Sequence, residues 1–238
     1  MAKFRNALPV GDSAAAISDR IYDTGQVRKV SQGRAMRPHP KIDLLVFLAQ
    51  GQAKLIIEAL SAEGASSGAG GEASKLSGHI LSFHFPGDIV SIPQTPTGQI
   101  GLVALSDLDL IVFAADDFLD AAQGDPAVIR CVLSRSLHAL DGSRMKAMQM
   151  GHESAQQRLA SFLMSMAERI CGCTCGACEV ELPMSRRDIA DSLGLTIETV
   201  SRQLSELRKA GLIETQGRSI VVFRDLDTLA HRVKCQPG

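Results

Sequence analysis

No stretch of the sequence approaches the ~18 uninterrupted apolar residues of a membrane span, and the opening residues MAKFRNALPVGDSAAAISDR lack the basic-then-apolar layout of a secretory signal. A cytoplasmic protein is expected. There is no cysteine before Cys131, and four of the six cysteines crowd into Cys171 to Cys178, unlike the distributed framework of a small secreted domain. Reduced thiols or metal ligands suit that spacing better than structural disulfides. An excess of positive charge is missing too: 25 Lys and Arg against 26 Asp and Glu give a formal net charge of −1, so composition carries none of the basic signature of many nucleic-acid binders. Arginine is absent between Arg37 and Arg130, and proline between Pro126 and Pro183. No catalytic triad, P-loop or dinucleotide fingerprint is visible, which argues against an enzyme.

What is present reads as two domains joined by a helix. With 238 residues the chain has room for two modest domains, and 45% hydrophobic with 21% charged residues is ordinary for a globular protein with a sizeable core. Short apolar runs at Leu44 to Leu48, Ala53 to Ile57, His79 to Phe85 and Leu108 to Phe113, broken by Gly, Pro and Asp turns, predict an antiparallel β-roll or barrel over residues 1–124. The Gly-, Ser- and Ala-rich interruption at 61–74 reads as a flexible hairpin loop. Asp125-Pro126 supplies an N-cap and then the residue best tolerated at the first helical position, so a long helix is expected over 125–150. Ile129, Leu133, Leu137 and Leu140, continued by Ala147 and Met148, form an apolar seam with Arg130, Arg135 and Arg144 between them. Such a seam favours packing against a second copy in a homodimer. Gly142 and Gly151 are the points where this helix could loosen. Beyond them Leu159, Phe162, Leu163, Met166 and Ile170 share a face, predicting an amphipathic helix that opens a domain over 151–238.

The most informative segment is LPMSRRDIADSLGLTIETVSRQLSELRKAGLIETQGRSIVVF, residues 182–223. Ser185, with Asp188 three positions on, makes a capping-box-like start to a helix whose Ile189 and Leu193 face inward, and Gly194 ends it where a positive φ costs glycine little. Thr196 caps a second helix that buries Val200, Leu204 and Leu207 and turns Glu198, Ser201 and Arg202 outward. Arg208 and Lys209 complement its C-terminal dipole end, and Gly211 stops it. Leu212 to Glu214 and Ser219 to Phe223, joined through Thr215-Gln216-Gly217-Arg218, add a hairpin with a basic tip. Two short helices about a tight turn, followed by a hairpin, make a winged helix-turn-helix. In a major groove Arg202 can bond guanine O6 and N7 and Glu198 can accept from cytosine N4, and one turn apart the two can also brace each other. Basic residues (Arg186, Arg187, Arg202, Arg208, Lys209, Arg218) barely outnumber acidic ones (Asp188, Asp191, Glu198, Glu206, Glu214) over 183–218, so the inference rests on position. A lone E-x-x-S-R reads more simply as a surface ion pair on an ordinary helix; the capped unit around it displaces that reading.

LGLTIETVSR, preceded by RRDIAD and followed by KAGLI, resembles the helix-turn-helix of FNR- and FixK-type regulators of the CRP/FNR superfamily. HILSFHFPGDIV at 79–90 is similar to the PGD-containing strand and turn of that family's sensor, and QGQAKL at 50–55 is similar, more loosely, to the strand after its glycine turn. The likeness covers most of residues 25–228. It implies an α+β architecture: an N-terminal β-roll sensor of cyclic-nucleotide-binding type, a long dimerisation helix and a C-terminal winged helix-turn-helix. It also implies double-stranded DNA, RNA polymerase and a second copy as partners, and activation of oxygen- or nitrogen-related genes. The family's E-x-x-S-R readers fall on Glu198, Ser201 and Arg202, which implies a TTGAT…ATCAA palindrome. Ser185, Arg186, Thr196, Thr199 and Arg218 are expected on phosphates.

The sensor departs from the superfamily's cyclic-nucleotide-binding members, which hold the phosphate with an arginine after the PGD region. The matching stretch SIPQTPTGQIGLVAL offers no charge to a phosphate, so no cyclic nucleotide is expected. With no cysteine before Cys131 there is no N-terminal group for an FNR-type iron–sulfur cluster. His39, His79, His84 and several methionines leave haem open, although histidines at strand ends are more often solvent-facing or hydrogen-bonded. The leading reading needs no cofactor, as the resemblance to FixK-like members implies.

The octapeptide CGCTCGAC, residues 171–178, admits three readings: a metal or cluster site on Cys171, Cys173, Cys175 and Cys178, a reversible disulfide switch, or a loop with spare thiols. Tetrathiolate zinc normally draws on two knuckles further apart, which counts against the first. A thiol- or metal-dependent redox protein using these cysteines is therefore the alternative to the DNA regulator, weakened by the lack of a thioredoxin-like βαβ setting around Cys175 and Cys178. A winged helix used only for protein contact is a further alternative, and it would not need Glu and Arg one turn apart.

Overall fold

The computed structural model describes residues 20–58, 78–94, 100–123 and 126–234. The loop expected at 61–74 and the cap residue Asp125 lie outside them. The chain divides into two compact units, Met1–Ala139 and Leu140–Gly238.

The strands of the first unit are β1 (Gln26–Val30), β2 (Ala35–Met36), β3 (Leu44–Gln50), β4 (Ala53–Ile57), β5 (His79–His84), β6 (Ile89–Ile92), β7 (Ile100–Ala104) and β8 (Leu108–Ala114). They make two four-stranded antiparallel sheets, ordered β1-β8-β3-β6 and β2-β7-β4-β5. Side chains alternate across a strand, so Val46 and Leu48 of β3 and Leu108, Leu110 and Val112 of β8 meet Ala53, Leu102 and Ala104 of the other sheet in one buried core. The intervening residues Phe47, Ile111 and Phe113 point to the opposite face. There the helix α1 (Ala115–Ala122) covers them with Phe118, Ala121 and Ala122, Phe113 meeting Phe118 edge-on at 5.4 Å between ring centroids. Burial on both faces is why β3 and β8 read as nearly continuous apolar runs.

Two turns hold the roll in register. At Gly51 φ is +88° and a Cβ would lie 2.2 Å from the Asp107 carbonyl oxygen, so no side chain fits. In the Pro86-Gly87-Asp88 turn the Gly87 N–H donates to the Leu48 carbonyl at 2.8 Å, and Asp88 Oδ2 accepts from the Phe85 N–H at 3.1 Å.

The long helix α2 (Pro126–His152) starts at the expected proline and runs unbroken through Gly142 and Gly151. Its first turns are anchored in the first unit: Val128 is buried, and Ile129 and Val132 pack against the α1 cluster. Leu133, Leu137, Leu140 and Met148 are instead exposed, by 56%, 52%, 46% and 62%. No helix among the described residues is long and apolar enough to cross a membrane.

The second unit contains α3 (Ala155–Cys171), β9 (Cys178–Glu181), α4 (Arg186–Leu193), α5 (Ile197–Lys209), β10 (Ile213–Gln216), β11 (Ile220–Phe223) and α6 (Leu226–Lys234). Ser154 and Gln157 close a reciprocal capping box on α3. That helix buries Leu159, Ala160, Leu163, Met166 and Ala167 against α6, β9 and α5. The three strands form an antiparallel sheet in the order β10-β11-β9.

Candidate nucleic-acid interface

The chain's short polar caps set the position of the exposed helix face. Ser185 Oγ accepts from the Asp188 N–H at 3.2 Å while Asp188 Oδ2 accepts from the Ser185 N–H at 3.0 Å, a reciprocal capping box that starts α4. Gly194 ends α4 in the left-handed region at φ 63°. Thr196 then caps α5 by accepting from the Thr199 N–H at 3.1 Å, and the two threonine hydroxyls are 3.0 Å apart. Val200, Leu204 and Leu207 face inward. Glu198 and Arg202 are exposed and Ser201 is half-buried on the opposite face. Among the described residues no ion pair joins Glu198 to Arg202, so the bracing suggested by their spacing does not form and both heads remain available.

Strand β10 extends through Gln216, so the wing tip is Gly217, Arg218 and Ser219, one step beyond the expected turn, with Arg218 exposed. Arg186 is the first residue of α4 and half-buried. Ser185, Thr196 and Thr199 carry the caps described above, so their hydroxyls lie at the N-terminal ends of α4 and α5, where backbone N–H groups and the helix dipole favour an anion.

Several contacts and placements that shape this face escaped the sequence reading. Arg208 bridges helix and wing, its guanidinium donating to Ser205 Oγ at 3.1 Å and to Thr215 Oγ1 at 3.3 Å. Arg158 of α3 donates to the Leu193 carbonyl at 2.8 Å and so closes the last turn of α4. Gln203, polar by composition, is buried. Ile197 is 38% exposed at the first position of α5, and its place directly after the capping residue Thr196 is the sequence signal that could have marked it.

The remaining candidates lie elsewhere. Cys171 and Cys175 are exposed, and Cys173 and Cys178 are half-buried; all four are free thiols. Burial, contact with Cys173 and the nearby Cys171 push the Cys178 thiol up to about 11, and burial followed by Cys173 raises Cys171 as well. Among the described residues no three His, Cys, Asp or Glu are placed to hold a metal ion. In the roll, both ring nitrogens of His84 are engaged, Nε2 with Ser82 Oγ at 2.8 Å and Nδ1 with Asp88 Oδ2 at 3.2 Å. His39 Nδ1 accepts from the Lys41 N–H at 3.3 Å. At His84 neither ring nitrogen is left open for the axial bond to a haem iron.

A two-sheet roll, a long helix and a capped helix-turn-helix with a three-stranded wing define a two-unit protein of winged-helix type. Residues 157–232 match the Crp-like helix-turn-helix domain family. The chain is 33% identical over 148 residues to the transcriptional activator protein FnrL of Cereibacter sphaeroides, covering 60% of each chain. It is also 33% identical over 134 residues to the nitrogen fixation regulation protein FixK of Bradyrhizobium diazoefficiens, covering 56% of each. Both matches span less than two thirds of the relatives' own length. The solved structure of FixK2 from Bradyrhizobium japonicum superposes with a TM-score of 0.70 at 25% identity, covering 90% of this chain and 99% of that one. The chain thus resembles regulators of the CRP/FNR superfamily, FixK and FnrL among them.

Proposed function

We propose that this protein is a sequence-specific DNA-binding transcription regulator, acting as an activator and not as an enzyme. The observation that carries the reading is the outward face of α5, where Glu198, Ser201 and Arg202 stand on a doubly capped helix with no ion pair between Glu198 and Arg202. Arg202 would take guanine O6 and N7 and Glu198 cytosine N4, with the Ser201 hydroxyl beside them and Ile197 against a thymine methyl. Ser185, Arg186, Thr196, Thr199 and Arg218 would hold phosphates and fix the register.

Two copies would pair through the exposed seam of Leu133, Leu137 and Leu140 and so place two α5 helices on half-sites about one helical turn, ~34 Å, apart. The corresponding target is the TTGAT…ATCAA palindrome, and the corresponding role is cytoplasmic: recruitment of RNA polymerase at oxygen- or nitrogen-related genes, without a cyclic nucleotide. The test is a gel-shift titration of the full chain on a TTGAT…ATCAA duplex against a duplex with both half-sites scrambled. Tight binding to the first alone supports the reading, and equal binding to both defeats it.

A further inference from the structure

Four cysteines sit within eight residues between α3 and the wing sheet, and the DNA-facing residues use none of them. The backbone explains where their sulfurs go. α3 ends at Cys171; Gly172 then turns the chain at φ 69° and Gly176 turns it again at φ 68°, two reversals that a side chain would resist. The loop is tied to its flanks. Cys171 Sγ donates to the Glu179 carbonyl at 3.3 Å, the Gly176 N–H to Asp227 Oδ2 at 3.4 Å, and the Leu226 N–H to the Gly176 carbonyl at 2.8 Å. Cys178 opens β9 opposite Phe223 of β11. This path brings the Cys173 and Cys178 thiols close enough for Cys173 to help raise the Cys178 thiol, and Cys173 Sγ lies 3.7 Å from the Cys171 carbonyl. Cys175 is exposed in the same loop.

We propose that Cys173 and Cys178 form a redox-modification site, a dithiol that a peroxide-class oxidant closes into an intramolecular disulfide and a thiol reductant reopens. The thiolate of Cys173 attacks one peroxide oxygen, the O–O bond breaks, and the sulfur becomes S–OH while the other oxygen leaves as water after taking up a proton. The Cys178 sulfur then displaces the S–OH oxygen, which departs as a second water with the Cys178 proton. Two thiols lose two electrons and two protons, and one peroxide is reduced to two waters. The order is assigned from position: Cys173 lies in the loop and Cys178 is fixed in β9 opposite Phe223, which makes Cys178 the resolving thiol. Metal binding is the competing chemistry, and the described residues do not offer a three-ligand arrangement for it. Closing the pair ties the exit of α3 to the first residue of the wing sheet.

The experiment takes the full reduced chain, exposes it to hydrogen peroxide, alkylates the remaining thiols and maps linkages by partial reduction and tandem mass spectrometry, with metal analysis of the same preparation. A Cys173–Cys178 link that dithiothreitol removes, that Cys175→Ser retains and that Cys173→Ser and Cys178→Ser each abolish is the expected result. Thiols that stay fully alkylatable, a parent link through Cys171 or Cys175, oxidation straight to sulfinic or sulfonic acid, or stoichiometric bound metal shielding the thiols would each overturn it. None of these readouts involves DNA, so failure here and failure of the DNA-binding reading are separate results.

Discussion

Arg202 and Gln203 are neighbours in sequence with opposite fates: the first is exposed on the outer face of α5 and the second is buried beneath it. A helix rotates by a little over a quarter turn per residue, so adjacent polar side chains face different surroundings and only one can meet a base. Arg202→Ala is expected to weaken binding to the palindrome by about 1 to 3 kcal/mol and to relax preference at the guanine position. Fluorescence anisotropy on duplexes varied at that base pair checks it, and an unchanged affinity and base preference would remove Arg202 from the readers.

At the scale of elements, the caps hold the helix-turn-helix together. The Ser185 hydroxyl takes a backbone N–H that α4 cannot satisfy internally. Ser185→Ala should therefore lower the stability of the second unit by about 1 kcal/mol, read as a reduced thermal midpoint, whereas Ser185→Asp, which keeps an acceptor oxygen, should recover most of it. The long helix makes a different prediction. Val128, Ile129 and Val132 are taken up by the first unit, yet Leu133, Leu137 and Leu140 are left about half exposed, which is costly for apolar side chains facing water. Replacing Leu133 and Leu137 together by Glu should convert a dimer to monomers in light scattering after size exclusion. A dimer that survives the double change would place the interface elsewhere.

For the whole molecule, a net charge of −1 means that long-range attraction to DNA cannot come from the chain at large. It must come from a few cations near the phosphates. Arg218→Ala at the wing tip should weaken binding to all sequences alike and reduce the slope of log affinity against log salt by about 1; a base-selective loss would contradict its assignment to a phosphate. The roll makes the complementary prediction. With no arginine between Arg37 and Arg130 to pair with a phosphate, cyclic AMP should neither bind in calorimetry nor change DNA affinity.

Local rules were enough to read the helix-turn-helix from the sequence. Ser185 with Asp188, Gly194 and Thr196 mark helix ends through bonds to residues three positions away or through a backbone conformation that glycine tolerates, and the structure places α4 and α5 between them. The start of the long helix at Pro126 and the strands around Leu44, Ala53, His79 and Leu108 were legible for the same reason, as caps and periodicity act over a few residues. What tertiary structure alone decided depends on partners far along the chain. The pairing of β3 with both β6 and β8, the burial of their sheet on two faces, the hydrogen bond from Arg158 to the Leu193 carbonyl and that from Arg208 to Thr215 all join residues brought together only by folding. The persistence of α2 through Gly142 and Gly151 is of another kind: the cost of a glycine in a helix, about 1 kcal/mol, is small enough for the rest of a long helix to override.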